Sequence, residues 1–127
     1  MENKRAAGIL LHPSSLPSPH GIGDLGPSAY AFIDFLQQAG LGLWQVLPLG
    51  PTGYGDSPYQ CFSAFAGNPA LLSLTQLVED GLLTQTEVDA LPALPANTAN
   101  PDGAMALKLP LLQKAFARFH PGADYDC

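Results

Sequence analysis

Positive charge is scarce in this sequence. Five lysines and arginines stand against eleven aspartates and glutamates in 127 residues, a formal charge of −6. Nucleic-acid binders need clustered Lys and Arg to neutralise phosphates, and an anionic membrane surface asks for the same. Both partner classes are disfavoured, while a neutral ligand stays compatible. Cysteine is nearly lacking too. Cys61 and Cys127 have no CxxC spacing, so they make neither a zinc site nor a disulfide framework; they read as reduced thiols of a cytoplasmic protein. No apolar run reaches the ~18–20 residues that span a bilayer. The start, Met1 to Arg5, is too short before the first prolines to act as a secretory signal.

What is present is material for a core. Hydrophobic residues make up 46% of the chain and charged ones 13%, a balance that excludes the disordered class. The length suits one small domain or a piece of a larger one. Glycine and proline are abundant at 13 each, concentrated between residues 8 and 69, and they punctuate turns.

Residues 7–11 form a short apolar run, closed by His12-Pro13-Ser14-Ser15, and read as a buried strand. An irregular loop rich in glycine and proline follows, up to Gly26. Pro27 then suits the first turn of a helix. Ala29, Phe32, Ile33 and Leu36 recur at helical spacing, Asp34, Gln37 and Gln38 face away, and Gly40 supplies a left-handed stop. Residues 43–47 make a second strand ended by Pro48. Strand, helix and strand in some forty residues predict a βαβ unit with parallel strands. Because both strands are nearly continuous apolar runs, a sheet covered on both faces, or a barrel wall, is expected.

Further along, residues 50–69 form a long loop rich in glycine and aromatics. Leu71 to Leu74 read as a short strand leading into a helix through Leu77 and Val78. Thr84 and Glu87 fit a capping box, with Leu83 and Val88 placed for a hydrophobic staple. Pro92 ends that helix, and residues 92–103 read as a connector. A final helix is predicted from the stripe Leu109, Leu112, Phe116 and Phe119, which Pro110 must start or kink. Two strands and their helices leave sheet edges uncovered, so the segment is expected to be part of something larger and marginally folded alone.

Few residues suggest chemistry. Asp34, Glu79 and Asp80 sit on solvated helix faces or ends. Asp24 and Asp56 lie in loops after strands, where parallel α/β folds place active sites, but Asp56 between Gly55 and Ser57 reads first as a turn cap. His12 and His20 lack a partner at metal-ligand spacing and read as hydrogen-bonded loop residues. Ser14, Ser15 and Ser57 lack the context of a nucleophile elbow, and no lysine follows the 50–55 stretch to make it a phosphate loop. Tyr54 and Tyr59 offer flat apolar faces and hydroxyl edges suited to a sugar ring. Asp56, Ser57 and Gln60 stand beside them as hydrogen-bonding groups; packing of the tyrosines onto the body of the fold is the competing role.

Two stretches identify a family. Gly8-Ile-Leu-Leu-His-Pro-Ser-Ser-Leu-Pro with Gly21-Ile-Gly-Asp-Leu-Gly is one. Trp44-Gln-Val-Leu-Pro-Leu-Gly-Pro-Thr-Gly-Tyr-Gly-Asp-Ser-Pro-Tyr-Gln-Cys-Phe-Ser-Ala-Phe-Ala-Gly-Asn-Pro is the other. Both resemble the opening of amylomaltases, the 4-α-glucanotransferases of glycoside hydrolase family 77. Lys108 and Leu109-Pro-Leu-Leu resemble a later helix of that family, and Cys61 departs from it at a position where serine or a small residue is common.

The resemblance implies the N-terminal part of a (β/α)8 barrel: residues 1–83 would open the barrel, including the glucan-contacting loop 50–69, and 84–127 would be an incomplete helical segment. It implies retaining transfer of α-1,4-glucan segments between maltooligosaccharides, without a cofactor or metal. Substrate contacts would come from Tyr54, Asp56, Ser57, Tyr59 and Gln60. The catalytic carboxylates would lie on strands beyond Cys127, so the 127 residues alone would be inert. A glucan-binding fragment and an amylase-like hydrolase are the alternative readings.

Overall fold

A computed structural model describes residues 5–52, 60–63, 65–95 and 98–122. Strands β1 (Gly8–Leu10) and β2 (Leu43–Gln45) pair in parallel, with Gly8 opposite Leu43, Ile9 opposite Trp44 and Leu10 opposite Gln45. Between them runs helix α1 (Pro27–Gln38), which starts at a proline and stops at Gly40 with φ +69°, as the sequence predicts. The βαβ unit is thus present.

Its sheet is covered on one face. Ile9 and Trp44 share the half-buried face, where the Trp44 ring meets Phe32 of α1 edge-on at 4.9 Å and its indole N–H donates to the Leu11 carbonyl at 2.8 Å. Leu10 and Leu43 point the other way and are 56% and 55% exposed. On α1, Ala29 and Leu36 are buried but Ile33 is half exposed, so the predicted apolar face is only partly covered among the described residues.

After the 50–69 loop the chain turns helical. The strand expected at Leu71–Leu74 is instead a 3-10 turn, Pro69–Leu71, followed by α2 (Leu74–Glu79). Side chains decide this locally. Asn68 accepts from the Ala70 amide and Ser73 from the Gln76 amide, so both helical starts are capped and the apolar run is consumed in turns. The helix through Leu77 and Val78 is present. Helix α3 (Gln85–Asp89) carries the expected capping box, and Leu83 and Val88 are buried in one cluster with Leu74, Leu111 and Ala115.

Helix α4 (Pro101–Arg118) differs most from expectation. Pro101 occupies its first turn and Asn100 caps it, so residues read as connector are helical, and Pro110 lies inside the helix. Pro110 lies on the exposed side, where water can satisfy the carbonyl one turn back that its missing N–H leaves free. The buried stripe is Ala104, Lys108, Leu111 and Ala115. Leu109, Phe116 and Phe119, which had suggested the packing face, are exposed.

Lys108 explains the difference. Its ammonium is fully buried and donates to Asp24 Oδ2 at 3.2 Å, the Ala70 carbonyl at 2.8 Å and the Leu72 carbonyl at 3.1 Å. Three acceptors match the three protons of the charged form. Burial lowers the Lys108 pKa, and the neighbouring Asp24 carboxylate acts against that shift. Around this point Ile22, Ala70 and Ala104 pack together. Leu94 and Asn100 donate their amides to the carbonyls of Pro19 and Gly21 at 3.0 and 2.7 Å, fastening the approach to α4 onto the loop after β1.

A second polar tie joins α3 to α4. Arg118 grips Glu87 with two parallel hydrogen bonds of 2.8 Å and also reaches the Leu82 carbonyl. The Arg118 hydrogen bonds, then the Thr84 amide, hold the Glu87 carboxyl far below its ordinary 4.5. A lowered carboxyl pKa stabilises the fold above the unfolded value and stops doing so as pH falls toward the folded one.

Two outcomes follow for a protein carrying this segment. Lys108→Met strands Asp24 in the interior and should lower stability by about 3–5 kcal/mol in equilibrium denaturation, with part restored by adding Asp24→Leu. A single variant as stable as the parent would refute that weight. For the α3–α4 tie, the stability gap between parent and Arg118→Ala should be full above pH 4.5 and shrink steadily below it. A gap independent of pH would show that Glu87 is not its source.

Candidate functional site

Because β1 and β2 are parallel, their carboxyl ends lie on one edge of the sheet, and the loops that leave them start side by side. His12 fastens the two exits. Its Nδ1 accepts from the Ser14 amide at 3.2 Å and lies 2.7 Å from the Ser14 hydroxyl, which leaves Nε2–H to donate to the Pro48 carbonyl at 3.3 Å. The expected role for His12, a hydrogen-bonded loop residue, is the one observed. Gly23 closes the first loop so tightly that a Cβ there would collide with the Pro13 carbonyl oxygen.

The second loop is drawn together at its base. Thr52 and Cys61 form an antiparallel bridge, and the Phe62 amide donates to the Pro51 carbonyl at 3.4 Å. Below that bridge, the Asn68 amide nitrogen reaches the Gly50 carbonyl at 3.4 Å. Between the strand exits and these loop feet lies a cavity of about 440 Å³, lined in part by His12, Ser14, Leu47, Thr52, Asn68 and Asp102.

Of the substrate-contact residues expected from the sequence, Gln60 is exposed beside Cys61, above the bridge. Tyr54, Asp56, Ser57 and Tyr59 lie outside the described residues. The other acids take structural or solvated positions. Asp24, in the loop after β1, is buried as the partner of Lys108. Asp34, Glu79 and Asp80 are exposed on α1 and at the end of α2, as their helix positions suggest. His20 is half buried, and its imidazole pKa is lowered by that burial and then by the charge of Lys108. Among the described residues, no three His, Cys, Asp or Glu side chains cluster as metal ligands, and no helix is long and apolar enough to cross a membrane.

Two contributors carry no sign of their long-range role in the sequence pattern: Asn68 stands at the end of a motif, and Lys108 within a later helix. The sequence Asn68-Pro69, a capping residue before a proline, was a legible signal for the turn. No local signal announces that Lys108 meets Asp24, 84 residues away.

The comparisons agree with one another. The family model described as 4-alpha-glucanotransferase, glycoside hydrolase family 77, matches residues 11–126. The chain is 53% identical to a 4-alpha-glucanotransferase of Synechocystis over 98% of its length and 25% of that protein's. It is 52% identical to one from Thermus thermophilus, covering 98% of this chain and 24% of the relative. Among solved structures it resembles an amylomaltase from Streptococcus agalactiae in complex with acarbose, with a TM-score of 0.79 and 40% identity over 91% of this chain and 24% of that one. The segment thus spans about a quarter of the length of the relatives it matches. With the family match running from the end of β1 through α4, the chain belongs to the 4-α-glucanotransferase family, glycoside hydrolase family 77.

Proposed function

We propose that the protein carrying this segment is an amylomaltase-type transferase that moves α-1,4-glucan segments between maltooligosaccharides with retention. In this reading residues 1–83 open a (β/α)8 barrel, with β1 and β2 as its first two strands, and residues 84–127 belong to a helical segment packed against that opening. The observation that carries the reading is the parallel pair with its two loops fastened together at one edge, within a chain matched to the family over residues 11–126. The sheet face turned away from α1, with Leu10 and Leu43 bare, supports the barrel: on this reading it faces inward and becomes buried when further strands close around it.

Retaining transfer uses two carboxylates about 5–5.5 Å apart, one as nucleophile and one as acid/base. On this reading both come from later strands, and this segment contributes substrate contact. Tyr54, Asp56, Ser57, Tyr59 and Gln60 would line the glucan path, with the tyrosines as platforms for sugar C–H faces and the polar groups holding hydroxyls. Acarbose, the ligand of the Streptococcus agalactiae amylomaltase, is a suitable competitive probe.

Incubation of the full-length protein with maltotriose separates the reactions. Transfer yields glucose together with longer oligosaccharides, whereas net hydrolysis with no longer product would overturn the transferase reading. Tyr59→Ala should cost about 1–3 kcal/mol of binding or transition-state energy, lowering transfer efficiency by roughly one to two powers of ten. Tyr59→Phe should be milder, since the stacking face survives. A lower melting temperature with unchanged activity per folded molecule would instead make Tyr59 a packing residue.

A further inference from the structure

We infer that Asn68 is a positioning residue: it latches the base of the 50–69 loop and so sets how the loop presents itself to glucan. The inference rests on the reading of that loop given above.

Asn68 stands at the junction of two restraints. Its Oδ1 accepts from the Ala70 amide at 3.0 Å, capping the 3-10 turn. Its Nδ2 donates to the Gly50 carbonyl at 3.4 Å, across eighteen residues of chain. The orientation of the amide is fixed by its partners, because a backbone N–H can only donate and a carbonyl can only accept. One side chain therefore ties the entry of the loop to its exit.

The contact at Gly50 is close on another side as well. A Cβ at this position would lie 2.8 Å from the Ser63 carbonyl oxygen and 3.4 Å from Cys61. Gly50 thus lets the two feet approach, and Asn68 holds them there. The turn that carries Asn68 is itself immobilised, since Lys108 donates to the carbonyls of Ala70 and Leu72. The result is a continuous polar path from Asp24 through Lys108, Ala70 and Asn68 to Gly50, linking a buried ion pair to the loop's entry.

The test uses the full-length protein with maltotriose as substrate. Asn68→Asp keeps the acceptor that caps the Ala70 turn and removes the donor to Gly50. It should raise KM about three- to tenfold, the weight of one neutral hydrogen bond, with kcat within about twofold and a melting temperature close to the parent's. Gly50→Ala should give the same signature from the opposite foot, and it decides the matter if Asn68→Asp does not fold. A latch that acts through the loop must couple to Tyr59→Ala, so the double variant should lose less than the sum of the two single losses.

Full additivity, or a lowered melting temperature with parental KM, would overturn the latch while leaving the glucan-contacting loop intact. Parental kinetics for Tyr59→Ala would remove the reading of the loop, and the latch with it.

Discussion

A charged amine inside protein is tolerated only where every proton finds an acceptor, and that requirement organises this segment. Lys108 reaches inward from α4 and meets one carboxylate and two backbone carbonyls. The carboxylate comes from the loop after β1, the carbonyls from the turn after the 50–69 loop. Three stretches distant in sequence are thereby held at a point. Apolar packing among Ile22, Ala70 and Ala104 surrounds that point but does not prescribe its geometry. Packing of small side chains fixes how closely the elements approach, whereas a three-acceptor ammonium also fixes their direction.

The same division of labour is found at the end of the sheet from which the two loops leave. Parallel pairing brings the two strand exits together, and His12 fastens them by bonding the Pro48 carbonyl. There, backbone carbonyls are answered by side chains on neighbouring elements. Asp24 too is structural. It occupies a loop position where parallel α/β folds often place functional acids, yet its carboxylate is committed to Lys108 and buried.

Local pattern made much of the fold legible. The period of Ala29, Phe32 and Leu36, bracketed by Pro27 and Gly40, marked α1 to within a residue or two, and Thr84 with Glu87 announced the start of α3. The failures have a common physical cause. Leu71 to Leu74 looked like a strand because apolar runs are ambiguous when short, and the caps on either side decided for helix. The buried face of α4 was misread because a lysine occupies its centre, and a search for apolar stripes turns such a face outward. Within the candidate site, family motifs marked the residues expected to touch sugar, whereas the groups that hold the loop's base were invisible to periodicity. Their partners are carbonyls, which every residue possesses.

The 84-residue separation between Asp24 and Lys108 also has a consequence in time. At about 5–20 residues per second, a ribosome delivers Lys108 roughly 4–17 seconds after Asp24. Throughout that interval the aspartate has no counter-ion to enter the interior with, so it stays hydrated, and the loop that carries it cannot settle. Strands β1 and β2 can pair earlier, because their contacts span only some 35 residues. Synthesis thus permits an order of assembly in which the parallel pair forms before α4 arrives with the lysine that neutralises the loop beside it.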